Sequence, residues 1–156
     1  MASEDDPQLV EAMRQAADLT RSYLTQDRAR IAVCLIGLES DQLERVLAWA
    51  VISHDEVFDQ PGEPTMSLRL IDAVAALAPA ETEFAATAAV RRVAAGEVGL
   101  TQAVADLAPA DQTHAITICT AVMRLEAHGR ARALEQIDAQ TREYEQMGYP
   151  RPYTLP

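Results

Sequence analysis

Apolar residues recur at intervals of three and four along nearly the whole chain, which is the spacing of amphipathic helices. No segment alternates apolar and polar residues for long enough to indicate a strand. The first helix is predicted to begin at Asp6-Pro7, because Asp caps helices well and Pro fits the first helical position. Its predicted buried stripe consists of Leu9, Met13, Ala16, Ala17, Thr20 and Leu24.

Capping and turn residues divide the next part of the pattern into separate elements. Thr25 is predicted to cap a second helix, and Ser40 a third whose apolar stripe includes His54. The segment Asp59-Gln60-Pro61-Gly62-Glu63-Pro64 has the strongest turn chemistry in the chain and predicts a loop over about 57–65. Three further helices are predicted at about 66–78, at 80–95 before Gly96, and at about 100–107.

One short sequence occurs twice, at two predicted helix junctions. Leu77-Ala78-Pro79-Ala80-Glu81 is repeated in close form as Leu107-Ala108-Pro109-Ala110-Asp111. Either a helical hairpin was duplicated, or tight corners in an Ala-rich chain converge on the same residues. In both cases we predict an all-α fold of six or seven helices in stacked antiparallel hairpins.

The seventh predicted helix begins near Pro109 and continues through Gly129 to about Met147. Glu126 and Arg130 form a favourable acid-before-base pair four residues apart across this glycine. A continuous helix of this length would extend roughly 57 Å, longer than a globule of 156 residues needs. Leu134, Ile137, Thr141 and Tyr144 form a thin stripe on its distal part, which we interpret as a seam for self-association.

The sequence after this helix is predicted to form an extended tail. We therefore divide the chain into one all-helical domain, residues 1–147, and a Pro- and Tyr-rich tail, residues 148–156. Alternating prolines favour a polyproline conformation, which loses little entropy when it binds a partner. Tyr144, Tyr149, Arg151 and Tyr153 are candidate partner-binding residues. The alternative is a tail that folds back over apolar surface of its own chain.

The net charge and its distribution along the chain indicate which kinds of partner the chain can bind. The formal net charge of −11 opposes binding to nucleic-acid phosphates and to anionic membranes. Residues 39–63 hold seven acids against Arg45 alone, so they predict either a solvated face or a patch for a basic partner. Asp55, Glu56 and Asp59 are candidate partner-binding residues there. Trp49 is a further candidate, as an interface anchor, although it equally suits packing under a neighbouring helix.

No group of residues in the sequence points clearly to catalysis or to a cofactor. His54, Asp55 and Glu56 are the densest set of metal-ligand types, and a metal site would need further ligands from other helices. Asp111 and His114 have helical ligand spacing, but we expect Asp111 to interact with the dipole of the first helical turn and His114 to lie at the surface. Cys34 and Cys119 fall on apolar faces and are expected to be free buried thiols. We expect no metal and no cofactor.

The sequence therefore predicts a non-catalytic acidic protein that binds an unidentified protein partner through its acidic face, last helix and tail. An adaptor, regulator, inhibitor or assembly component fits this description, and homo-oligomerisation is expected. One alternative is an acidic decoy that mimics nucleic acid and occupies a DNA-binding protein. Another is a metal-dependent helical enzyme. The acidic amino-terminal sequence is unlike a secretory signal and predicts a cytoplasmic location without membrane contact.

Overall fold

The computed structural model describes residues 6–59 and 66–149, and every regular element among them is a helix. The predicted all-α fold is confirmed, but the described residues form eight helices rather than six or seven. None of these helices is both long and apolar enough to cross a membrane. The helices are α1 (Pro7–Leu24), α2 (Arg28–Val33), α3 (Ser40–Phe58), α4 (Leu68–Ala75), α5 (Ala80–Ala94), α6 (Leu100–Val104), α7 (Pro109–His128) and α8 (Arg130–Gln146).

The first helices begin where side chains accept hydrogen bonds from free backbone N–H groups. Asp6 accepts from the N–H of Gln8 at 2.9 Å and Pro7 is the first helical residue, as predicted. The prediction for the second helix is wrong, since Asp27 caps α2 by accepting from the N–H of Arg30 at 3.0 Å. Thr25 instead ends α1. Ser40 is the first residue of α3 rather than its cap.

The middle helices follow the predicted order with shifted ends. Helix α3 continues through Phe58, and residues 60–65 of the predicted loop lie outside the described residues. Ser67 caps α4 by accepting from the N–H of Leu70 at 3.3 Å. Helix α4 is therefore shorter than the predicted 66–78. Helix α5 ends at Ala94, just before Gly96, close to the predicted position.

Helix α7 forms the centre of the fold. Every residue from Thr113 to Leu125 is buried, and the helix packs against α1, α3, α4, α5, α6 and α8. Apart from His114 and Arg124, the residues of this run are apolar or are threonines whose hydroxyls donate to carbonyls of the same helix, so they can be buried on all sides. The described helices thus surround one central helix, and the predicted stack of hairpins stays a prediction.

The predicted continuous helix through Gly129 is wrong, because α7 ends at His128 and a new helix begins at Arg130. Gly129 has φ 77° and ψ 166°, a backbone conformation that residues with a Cβ atom rarely adopt. Its N–H still donates to the carbonyl of Leu125 at 2.9 Å, so the glycine closes α7 and redirects the chain. The 57 Å rod does not form.

Helix α8 packs against α1 and α7 of its own chain. Ala133, Ile137 and Thr141 are buried there. Two contacts with α1 fix its position: Arg21 Nε donates to Asp138 Oδ1 at 3.1 Å, and Arg130 Nη1 donates to the carbonyl of Leu24 at 2.7 Å. The stripe that we interpreted as a dimer seam is therefore largely covered within the monomer, and self-association through it is not supported.

Helix α1 buries a wider face than the predicted stripe. Ala16, Thr20 and Leu24 of that stripe are buried and Leu9 is 44% exposed, while Ala12, Leu19 and Tyr23 are buried beyond it. The difference arises because α1 is covered by α3, α7 and α8 together, which extends its buried arc beyond one stripe.

A buried polar pair connects α1 to the central helix. The hydroxyl of Tyr23 and Nδ1 of His114 lie 2.7 Å apart, a hydrogen bond between two buried side chains. Burial lowers the pKa of His114 to about 4, although nearby Asp111 acts in the opposite direction. Burial also raises the pKa of Tyr23. The imidazole is therefore neutral at pH 7 and belongs to the core, which corrects the surface position expected for His114.

Candidate functional site

A small cavity opens between α1, α3, α7 and α8. Its volume is about 60 Å³, enough for a few water molecules or one small chemical group. We call it the Arg124 cleft, after the α7 residue that lines it. Its apolar walls come from α1, α3 and α8, chiefly from Met13, Trp49, Ile52, Ile137 and Tyr144.

Arg124 is a buried cation without a partner. The residue is only 8% exposed, and its Nε–H makes no hydrogen bond. Within the described part of the chain, no carboxylate lies at ion-pair distance from its guanidinium. Burial lowers the pKa of Arg124 while the charge of nearby Glu56 raises it, but a guanidinium stays protonated in proteins. A buried charge of this kind costs several kcal/mol unless something pairs with it.

We expect Arg124→Met to stabilise the isolated chain by about 2 kcal/mol, because it replaces an unpaired buried charge with an apolar side chain of similar length. The melting temperature should rise by roughly 5 °C. Thermal unfolding followed by circular dichroism measures this. Arg132→Met, at an exposed position on α8, is the matched control and should change stability by less than about 0.5 kcal/mol. A destabilised Arg124→Met chain would show that Arg124 holds the fold together.

Trp49 forms one wall of the cleft, where it both packs under a neighbouring helix and keeps surface free for an interface. Its Nε1–H donates to the carbonyl of Leu9 at 3.1 Å, and its ring packs beside buried Ala12, Ala16 and Val46. The residue is only half-buried, so part of the ring faces the cleft. The indole is thus fixed in position by α1 and still offers apolar surface.

Tyr144 forms the opposite wall, on α8. Gln140 donates a hydrogen bond to its hydroxyl at 3.3 Å, and Tyr149 packs edge-on against its ring at a centroid distance of 6.0 Å. Tyr149 is held there by a backbone bond of 3.0 Å to the carbonyl of Tyr144. Two of the candidate residues from the last part of the chain therefore lie at one place, whereas Arg151 and Tyr153 are outside the described residues.

The acidic candidates on α3 do not form one site. Asp55, Glu56 and Asp59 are all exposed, but only Glu56 lines the Arg124 cleft. Asp55 Oδ1 lies 3.1 Å from Nδ1 of His54, beside a second cavity of about 640 Å³ that includes Phe58 and Leu100. Asp59 follows the last turn of α3. The structure thus brings Trp49, Glu56 and Tyr144 together and leaves Asp55 and Asp59 apart from them.

The candidate ligands for a metal are similarly dispersed. Among residues 6–59 and 66–149, no three His, Cys, Asp or Glu side chains are grouped so that they would hold one metal ion. His54 is buried and stacks on Phe58 at a centroid distance of 5.8 Å, and Asp55 is its only carboxylate at ion-pair distance in this region. We find no geometric support in these residues for the metal-dependent enzyme.

The two cysteines are poor nucleophiles. Burial raises the pKa of Cys34 to about 11 and that of Cys119 to about 12. Both are free thiols, Cys119 buried and Cys34 partly buried. Because the thiolate is the reactive form, neither side chain has the ionisation that thiol chemistry at neutral pH requires.

Arg124 is the site residue that sequence reasoning missed. It lies within the apolar run of the seventh predicted helix, beside Met123 and Leu125. A signal was present, since Arg124 is the one formal charge between Thr113 and Leu125 apart from the titratable His114. A long charged side chain on a fully buried helix face is unusual unless it is paired.

Comparison with known proteins adds no name to this geometry. No family model, curated protein or solved structure matches the chain.

Proposed function

We propose that this chain is a non-catalytic interaction protein that binds a partner polypeptide through the face around the Arg124 cleft. The observation that carries the proposal is a buried, unpaired guanidinium at a cavity whose rim is aromatic and aliphatic. A few residues in desolvated pockets near the centre of an interface, among which Trp, Tyr and Arg are enriched, carry most of the binding energy between proteins. The cavity is far smaller than the 300–1,000 Å³, roughly, of sites that enclose a small molecule.

The exposed residues beside the cleft support the same proposal. Ile52 is 46% exposed on α3 and Leu9 is 44% exposed on α1, next to the carbonyl that holds Trp49. Helical geometry places Asp41, Asp59 and the cation Arg45 within about 20° of Ile52 around α3, and Asp55 within about 60°. A partner that covers Ile52 would therefore meet more carboxylates than cations, which favours a basic surface around its anchor.

The test compares two exposed apolar residues on different faces. Phe84 on α5 is 85% exposed and does not line the cleft, so Phe84→Asp is a matched control for Ile52→Asp. Tagged wild-type and variant chains would be isolated from the cells that produce the protein. We expect wild type and Phe84→Asp to retain one second polypeptide in stoichiometric amount, and Ile52→Asp to retain about tenfold less or lower still.

Circular dichroism would establish first that both variants fold, since both positions are exposed. Equal recovery of the second polypeptide with Ile52→Asp would contradict the proposed face. Loss of the polypeptide with Phe84→Asp alone would place the interface on α5. Recovery of only a second copy of this chain would replace a foreign partner with self-association.

The nucleic-acid decoy receives less support from the described surface. Carboxylates of Glu39, Asp41, Glu44, Asp55, Glu56 and Asp59 are exposed, but the cation Arg45 lies within the arc of α3 that most of them share, and Glu39 lies on the opposite side. A decoy requires a row of charges on one surface. The decoy stays a prediction from charge alone.

A further inference from the structure

The floor of the Arg124 cleft has the properties of a receptor for one negative charge. Arg124 is more than nine-tenths buried, its Nε–H is unpartnered, and its guanidinium lines the cavity. A guanidinium presents N–H donors in a planar fork that matches a carboxylate or phosphate. The structure thus presents half of a charge-assisted pair at the cavity.

The other charges at the cleft leave Arg124 available. Arg14 and Glu56 are the remaining charged residues of the lining. Arg14 Nη1 bonds to Glu11 at 2.7 Å, so its charge is already matched at the surface. Glu56 is exposed, and although its charge raises the pKa of Arg124, the two side chains form no ion pair within 4 Å. Its charge, together with the formal net charge of −11, makes a doubly charged phosphate a poorer occupant than a singly charged carboxylate.

Size then distinguishes between a whole ligand and the end of a larger one. A cavity of about 60 Å³ admits a carboxylate with one or two methylene groups, and nothing as large as a nucleotide. The rest of the occupant must lie outside, against Trp49, Ile52 and Tyr144. A side chain projecting from a polypeptide has this shape, because its backbone stays on the rim.

We infer that the Arg124 cleft receives one Glu or Asp side chain of the partner polypeptide, with the carboxylate on the Arg124 guanidinium. This inference rests on the proposed function and specifies its anchor. Ser53 of α3 also lines the cleft, and its hydroxyl would supply a second hydrogen-bond donor for this carboxylate. Arg124 loses its hydrating water when the chain folds, which destabilises the free chain. The carboxylate of the partner replaces these lost hydrogen bonds and so stabilises the complex.

The first test uses two capped amino acids that differ only in charge. N-acetyl-glutamate amide and N-acetyl-glutamine amide would be titrated at matched ionic strength while the arginine Nε–H signals are followed by ¹⁵N NMR. The Arg124 signal is assigned by its absence in Arg124→Met. We expect saturation by the glutamate probe with a Kd in the range of about 1–10 mM, and at least about tenfold weaker binding of the glutamine probe.

Three results would overturn the inference. The first is a shift of the Arg124 signal that does not saturate, or that both probes produce equally. The second is binding of butyrate at least about tenfold tighter than the glutamate probe, which would indicate a site for a free small acid. The third is binding of inorganic phosphate in preference to either. The exposed Arg132 signal is the internal control and should not saturate with any probe.

The second test separates this inference from the proposed function. Capture of the partner by Arg124→Met should fall at least about tenfold, as expected for loss of a buried charged pair. Capture within twofold of wild type overturns the Glu or Asp anchor but leaves the proposed function standing. If no polypeptide is recovered with wild type, the proposed function fails, whatever the probes do.

Discussion

The chain with Val122→Asp should not fold at 25 °C. Val122 is completely buried on α7, and this helix packs against α1, α3, α4, α5, α6 and α8. A carboxylate there would not face Arg124, the buried cation of α7, because residues two positions apart point to different sides of a helix, and the loss of the packed valine adds to the cost. The expected loss of about 5 kcal/mol or more equals the whole stability of many domains of this size.

The absence of a cooperative thermal transition in circular dichroism would confirm this expectation. Val51→Asp makes the same change at a position of α3 that is 38% exposed, and should unfold with a transition close to wild type. If Val122→Asp also unfolds cooperatively near the wild-type temperature, α7 is not the central helix of the fold.

The second large effect is a loss of stability in acid that depends on His114. Its pKa is about 4 in the folded chain, below the value of 6.5 that an exposed histidine has. Above pH 6.5 both states are neutral and the residue contributes no pH dependence. As the pH falls from 6.5 to 4, the unfolded state takes up a proton that the folded state excludes, so stability declines by about 3 kcal/mol.

Urea unfolding between pH 7 and pH 4 measures this decline. Because the carboxyl groups also begin to titrate in this range, the relevant quantity is the difference between wild type and His114→Gln. The variant should lose about 3 kcal/mol less over this pH interval, whatever its stability at pH 7. His128→Gln, at the half-buried end of α7, is the control and should parallel wild type. Parallel curves for His114→Gln would contradict the buried neutral imidazole.

Local chemistry predicted the helices well where one residue decides the outcome. Asp6-Pro7 and Pro109 begin helices because of their own side chains, and these starts are where the structure has them. The error at Thr25 has the same origin, since Thr25 and Asp27 both suit a cap, but the hydroxyl of Thr25 donates back to the carbonyl of Arg21 and Asp27 caps α2.

The break at Gly129 could not be predicted from the spacing of residues along the chain. The pair Glu126–Arg130 favours a continuous helix, and a glycine permits either continuation or a break. The break results from tertiary contacts: Arg130 bonds to the carbonyl of Leu24, and Asp138 pairs with Arg21 on α1. These partners are more than a hundred positions away along the chain, so the periodicity of the last forty residues carries no information about them.

The cleft was predictable only in part, for the same reason. Trp49, Glu56 and Tyr144 were singled out as exposed or aromatic residues near the acidic segment and chain end, and the structure places all three at the cleft. That they face one another across helices from distant parts of the chain follows from the packing. Arg124 acquires its significance only when its surroundings are known, because an arginine on a helix is ordinary until it is buried without a partner.

Native mass spectrometry of the wild-type chain, isolated from the cells that produce it, tests the central claim most directly. We expect a complex of the wild-type chain with one second polypeptide at fixed stoichiometry. The chain with Arg124→Met, isolated in the same way, should not carry this polypeptide. A bare chain, or a chain that carries a tightly bound small molecule or metal ion and no polypeptide, would contradict it.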